Sequence, residues 1–488
     1  MAFRFNLSDV FEQYTEQHPD WNAFAAWDER TSFQKLYDRV LNWAFFLKES
    51  GVSKGDIVGL SIAEETLHLE LTWALVACGA ASLNLSSART TQQLRDIARA
   101  AQIDLHICSG QLNGALSERV LFVKSQDCPS GFEQFLSSTF KDENAPLLLF
   151  STSGTTAAPK VFARKVGFMA AGIEGTRVSF LKLFEEEGCQ CNLLRGGNVE
   201  YDNNRVARFT QTLAGGINSI MDPVDTGKVS EFCARSGVTI FSTSAFQLQS
   251  MLSDPDIQRL PDDVMLTVGG APIPRDTRRG VQQKLTDTFR VIYATSEIGI
   301  VAMAGADDHE KSENCLGVPV PEIEVSLRSA DNQAVPHGEA GIAWVRTGSG
   351  MTRYLSGETA ENDGGWFNTG DVLSYLPDGS LSFHGRADEM IVLNGINIFP
   401  QAIEEVLMEF YEVKEAVAFG LPSARHGQIP VAIVVLETNA IPSDIEFIMR
   451  KCRSHLGFQA PRAIKIRKKI PRTQQGKISR RLLQAEFP

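Results

Sequence analysis

The sequence predicts a mixed α/β fold: a large N-terminal α/β domain of several parts, one of them β-rich, followed by a small C-terminal α+β domain. Three observations carry the prediction. Between Leu41 and about Gln102, helical patterns alternate with short apolar runs such as Ile57-Val58-Gly59-Leu60-Ser61-Ile62, as in strand–helix alternation with a parallel sheet. From Ile323 to Tyr375, short strand patterns are separated by Asn332, Pro336-His337-Gly338 and Pro377-Asp378-Gly379, the punctuation of a β-rich subdomain. At 488 residues the chain is longer than one hydrophobic core usually serves, so two or more domains are expected.

In the large domain the alternation resumes at Val238-Thr239-Ile240-Phe241, Met265-Leu266-Thr267-Val268 and Val291-Ile292-Tyr293, each run leading into a loop that carries Gly, Ser or Thr. Ligands of such sheets bind at the carboxyl ends of the strands, so those loops are where a site is expected. The second domain is expected to begin just after Gly385-Arg386, dividing the chain into 1–386 and 387–488. There Pro400, followed by Ile403, Val406, Leu407 and Phe410, predicts a helix with proline in its first turn and an apolar stripe at helical spacing. Val431 to Leu436 reads as a buried strand, and Ile464, Ile466 and Ile470 read as an alternating one.

Composition narrows the setting. A hydrophobic content of 43% is that of a globular protein. A formal net charge of -12 argues against a nucleic-acid partner and gives no attraction to an anionic membrane. The N-terminus MAFRFNLSDVFEQY lacks a charged head followed by a long apolar region, and no apolar run approaches membrane-spanning length, so a cytoplasmic enzyme is expected. Of the eight cysteines only Cys189 and Cys191 lie close together, which gives neither a disulfide framework nor zinc spacing; reduced thiols are expected.

The strongest chemical signal is STSGTTAAPK at 151–160, directly after Leu147-Leu148-Leu149-Phe150. Five hydroxyls, Gly154 and Lys160 make a loop whose backbone N–H and side-chain O–H groups can converge on phosphate oxygens. The spacing is not that of a Walker loop, which disfavours a P-loop NTPase. Further motifs follow in order: YATSEIG at 293–299, GGWFNTGDV at 364–372, GRADEMIVLNGINIFPQAIEEVL at 385–407 and PRTQQGKISRRLL at 471–483. Together they resemble the adenylate-forming superfamily of acyl-CoA synthetases, luciferases and peptide-synthetase adenylation domains, over nearly the whole chain from about Thr31.

The resemblance implies a large N-terminal domain with a mobile C-terminal lid. It also implies a reaction in which a carboxylate attacks the α-phosphate of ATP, pyrophosphate leaves, and a nucleophile then displaces AMP from the acyl-adenylate. Ser151, Thr152, Ser153, Gly154, Thr155, Thr156 and Lys160 are implied to hold ATP phosphates, with Thr152 counted among the catalytic groups; Ala157 stands where glycine is usual. Tyr293 offers a face for adenine beside Ala294, Ser296 a hydroxyl where threonine is usual, and Glu297 a carboxylate for Mg2+. Gly269, Gly270 and Ala271 resemble the loop that passes against the adenine and acyl group. Asp371 is implied to accept the ribose hydroxyls, Arg386 to add a guanidinium beside them, and Asp388 to be the hinge. Lys477 matches the lysine that reaches the carboxylate and α-phosphate. The other basic residues from Arg462 to Arg481 read mostly as a solvated face.

The acid and the acceptor are less sharply drawn. Tyr201 falls at the aromatic gate position. Asp202 falls where amino-acid-activating relatives pair with a substrate amine, although taken alone it reads as a solvated loop carboxylate. Gly395 begins a segment resembling the strand beside the pantetheine tunnel. A thiol acceptor, coenzyme A or a carrier protein's pantetheine, ranks first. An amino-acid amine, as in amide-forming ligases of the coronafacate ligase type, is the alternative. A stand-alone amino acid adenylation enzyme and a non-catalytic relative stay open.

Overall fold

Short apolar runs bounded by turn residues become parallel strands where helices can cover both faces, and the chain uses that solution twice. The computed structural model describes residues 4–87, 89–110, 116–130, 137–151, 161–167, 169–170, 190–221, 225–271, 273, 275–295, 297–312, 314–321, 323–347, 355, 361–362, 364–423, 425–437, 444–472, 478, 480–485 and 487. The chain divides into two compact units: Met1–Val301 with Arg346–Gly365, and Ala302–Val345 with Trp366–Pro488.

In the first unit one sheet has the strand order Val161–Lys165, Pro146–Ser151, Ala81–Asn84, Ile57–Ser61, Leu105–Cys108, Val120–Phe122. All neighbours are parallel except the first pair. Leu147, Leu148, Leu149 and Phe150 are all buried, as expected of a strand covered on both faces. Helix Glu65–Cys78 is buried around almost its whole circumference and closes on Gly79 in the left-handed conformation. Its acids are matched: Arg39 grips Glu70 with Nε and Nη2 at 2.5 and 2.8 Å, and Arg208 meets Glu65 at 2.8 Å.

The second sheet of this unit runs Phe289–Thr295, Met265–Gly269, Ile240–Ser244, Asn192–Arg195, Ile217–Ser219, Asn22–Ala26, Glu29–Ser32, parallel until the closing hairpin. The three runs read from the sequence between Val238 and Tyr293 are three neighbouring strands here. Helix Ala245–Ser253 follows its strand directly through a Ser244/Gln247 capping box.

The second unit opens with antiparallel strands, among them Cys315–Pro319, Trp366–Tyr375 and Leu381–Arg386. A five-stranded sheet follows: Ile396–Ile398, Ile391–Leu393, Gly427–Leu436 and Val413–Ser423 in order, with Ile464–Ile466 pairing in parallel with Gly427–Leu436 at Ala432 to Val434. Helix Pro400–Met408 has its proline at the first position and buries Ile403 and Leu407 completely, while Phe410 lies past its end. Ile470 also lies outside its expected strand. The ladder ends where the Arg467 amide meets the Val434 carbonyl, and Ile470 is buried with Leu483 and Phe487 instead. No helix among the described residues is long and apolar enough to cross a membrane, and the described cysteines are free thiols.

Candidate active site

Strand Pro146–Ser151 leads into the hydroxyl-rich motif at 151–160, ending at a nearly buried Ser151 paired with Val161. Thr152, Ser153, Gly154, Thr155, Thr156 and Lys160 lie outside the described residues, as do Ser296 and Lys477. Tyr201 caps helix Asp202–Leu213, and Asp202 is its first residue. The reading of Asp202 as a solvated loop carboxylate is therefore corrected. Its side chain is 18% exposed and faces the fully buried Arg205 at 3.2 Å. Burial pushes the Asp202 carboxyl above its ordinary range, against the pull of Arg205, Arg89, the Ser151 amide and Asn84. Arg164 joins the cluster: its guanidinium and that of Arg205 lie over the Phe150 ring at 5.1 and 5.5 Å. Burial brings Arg164 down to about 10 in spite of Asp202 and Glu297.

Gly269 and Tyr293 end up side by side. They sit near the carboxyl ends of neighbouring parallel strands, with Gly269 opposite Ile292. A Cβ on Gly269 would lie 3.0 Å from the Ile292 carbonyl oxygen, close enough that the neighbouring strand would have to give by a few tenths of an ångström. Gly270 has a φ of +91°, Ala271 is exposed, and Tyr293, Ala294 and Glu297 follow along the next strand and its exit. Among the described residues no group of three His, Cys, Asp or Glu forms a metal cage. Glu297 as a single carboxylate fits Mg2+, which binds through one or two carboxylates, waters and substrate phosphates.

In the second unit Asp371 and Arg386 are direct cross-strand partners. Arg386 Nη1 donates to the Thr369 carbonyl at 2.8 Å and to Asp371 Oδ1 at 3.2 Å, while its Nε donates to Asp388 Oδ1 at 3.0 Å. Burial would lower the Arg386 pKa, but Asp388 and Asp371 outweigh it and hold the guanidinium above its ordinary value. Gly370, at a φ of +73°, floors this arrangement: a Cβ there would sit 2.8 Å from Arg386 Nη2. The three motif residues thus form one charged cradle. Gly395 lies in a turn. With Asn394 it makes a two-residue hairpin turn, both at positive φ (52° and 80°), between Ile391–Leu393 and Ile396–Ile398.

Sequence reasoning missed the arginines. Arg480 is not part of a solvated face: its side chain is 19% exposed and meets Glu389 and Glu404, each at 2.7 Å. Arg472 likewise meets Glu415 at 2.7 Å. For Arg205 and Arg208 a signal existed, since both occur among the buried positions of a helix that also buries Phe209 and Leu213.

The profile of the AMP-binding enzyme family matches residues 11–355, and that of the AMP-binding enzyme C-terminal domain matches 402–477. The 2-succinylbenzoate–CoA ligase of Geobacillus kaustophilus is 27% identical over 465 residues, covering 94% of this chain and 93% of that protein. The long-chain-fatty-acid–CoA ligase of Salmonella typhimurium is 25% identical over 559 residues, covering 99% and 94%. Among solved structures, o-succinylbenzoate CoA synthetase from Bacillus subtilis, in complex with its acyl-adenylate intermediate, superposes with a TM-score of 0.87 at 19% identity over 99% of this chain and 98% of that one. The amide bond synthetase McbA from Marinactinospora thermotolerans superposes with a TM-score of 0.86 at 22% identity over 99% of both. The fold, a large N-terminal domain and a small C-terminal one, is that of the adenylate-forming enzymes. The chain belongs to the AMP-binding enzyme family and is an ATP-dependent, AMP-forming ligase.

Proposed function

We propose that the chain joins a carboxylic acid to the α-phosphate of ATP, releasing pyrophosphate, and then passes the acyl group from AMP to a thiol, with coenzyme A the first choice. The observation that carries the nucleotide reading is the cradle of Asp371 and Arg386 over Gly370, in which a side chain at residue 370 would collide with the guanidinium. The thiol reading draws on the two relatives above, both named as CoA ligases.

Both reactants are anionic, so the first step needs charge neutralisation and in-line placement more than proton transfer. Bound at Glu297, Mg2+ would neutralise phosphate charge. The 151–160 segment would wrap the β- and γ-phosphates, with Lys160 adding a point charge. The exit of strand Met265–Gly269 and Tyr293 would flank the adenine, and Asp371 would accept the ribose hydroxyls. Lys477 would reach the reacting carboxylate and α-phosphate. We place the division between domains at 386/387. Asp388, held by Arg386 in this structure, is the residue about which the C-terminal domain would turn between half-reactions. A cytoplasmic setting, supplying ATP and keeping the thiols reduced, belongs to the same proposal.

The test is ATP–pyrophosphate exchange by the purified protein over a panel of aliphatic, aromatic, cyclic and amino acids. Exchange that requires one class of acid is expected. ATP binding without exchange for any acid would mean a non-catalytic relative and would sink the proposal.

A further inference from the structure

Strand Pro146–Ser151 has different neighbours along its length. On one side it is paired with Val161–Lys165 up to its last residue, Ser151 opposite Val161. On the other side its register with Ala81–Asn84 runs through Leu148 and Leu149 only. Side chains bind the backbone around and beyond that point. Arg205 Nη2 donates to the Leu149 carbonyl at 2.5 Å, and its Nη1 donates to the Ser82 carbonyl and hydroxyl at 3.4 and 3.3 Å, so one guanidinium ties both strands. Arg89 Nη2 donates to the Ser151 carbonyl at 3.4 Å. The Asp202 carboxylate accepts from Arg205 Nη2 at 3.2 Å. Asn84 Nδ2 reaches on to the Val199 and Glu200 carbonyls, just ahead of the helix that carries Asp202 and Arg205.

A fully buried guanidinium is costly to desolvate, and Arg205 is met here by the Asp202 carboxylate, by the Leu149 and Ser82 carbonyls and by the Ser82 hydroxyl. An Asp202 already matched in this way has its charge committed inside the protein.

We infer that Asp202 and Arg205 are positioning residues for the nucleotide: together they set where strand Pro146–Ser151 ends and so where the phosphate-binding segment begins, and Asp202 does not pair with a substrate amine. The inference rests on the proposal that residues 151–160 hold the ATP phosphates. Asp202→Asn keeps the shape and removes the charge. Arg205→Lys keeps the charge and loses the forked donors. Each variant, with the wild type, is assayed for KM of ATP and of the acid in pyrophosphate exchange, and separately for consumption of pre-made acyl-adenylate by the acceptor.

The expected result is a KM for ATP raised, or an exchange rate lowered, by about tenfold to a hundredfold, the usual loss when a supporting shell is disturbed. The KM for the acid and the second half-reaction should stay near wild type. A raised KM for the acid with that for ATP unchanged would make Asp202 a substrate contact and overturn the inference. Equal loss in both half-reactions would overturn it too, as the mark of a fold defect alone, and so would variants indistinguishable from wild type. Absence of exchange in the wild type would instead sink the ATP reading, and this inference with it.

Discussion

His68 and His106 have no exposed surface. His68 Nδ1 lies 2.8 Å from the Ile62 carbonyl, and His106 Nε2 lies 3.0 Å from the Ser61 hydroxyl. Burial, with the charge of Arg205 added for His68, holds them at about 3 and about 4 respectively. Both folded values lie below the value of about 6.5 expected in the unfolded chain. Their contribution to stability is therefore complete above that pH and is lost as the pH falls toward the folded values. Each pH unit in that window costs about 1.4 kcal/mol per histidine. Thermal unfolding should show a lower midpoint at pH 5 than at pH 7, and His106→Gln should shrink the difference. Equal midpoints for the wild type at the two values would contradict this account. Neither histidine stood out in the sequence, because burial of a lone imidazole depends on which strands and helices surround it. Asp371 and Arg386, by contrast, were named from a motif, and the register of two adjacent strands brings them together.

The segment 473–477 is bracketed by structure that the motif did not advertise. Arg472 and Ile478 form an antiparallel bridge, and Arg480 begins helix Arg480–Ala485 with a donor to the Ala418 carbonyl at 3.1 Å besides its two carboxylates. Burial would pull the Arg480 pKa down, but Glu404 and Glu389 overcome it and leave it raised. Removing the guanidinium strands two partly buried acids, a loss of about 3–5 kcal/mol for a buried pair and less at this exposure. If Lys477 serves the first step alone, as proposed, Arg480→Met should slow adenylate formation by about tenfold while sparing consumption of pre-made acyl-adenylate. Arg480→Lys should recover part of the rate. An equal loss in both steps would mean that Arg480 supports only the fold. Local signals were sufficient for helix Pro400–Met408, where proline and an apolar stripe agree. Asn394-Gly395 is also a local signal, for a tight hairpin between Leu393 and Ile396.

Over the whole molecule, period and punctuation were enough to read parallel strand–helix alternation, a β-rich stretch and a small C-terminal α+β domain, because each follows from runs of fewer than a dozen residues; that the parallel strands form two sheets came from the structure. What escaped the sequence was the set of partners that arginines find across long separations. Arg480 and Glu389 are 91 positions apart, and Arg205 and Leu149 are 56 apart. Nothing in the spacing of such residues says that they meet, so Arg480 read as part of a solvated basic face. The acceptor is decided by chemistry beyond the motifs, and here the two half-reactions can be read together. The purified protein is supplied with ATP, Mg2+, an acid that supports exchange, coenzyme A and mixed amino acids, and the products are weighed by mass spectrometry. The account predicts AMP, pyrophosphate and an acyl-CoA; an N-acyl amino acid formed without coenzyme A would contradict it.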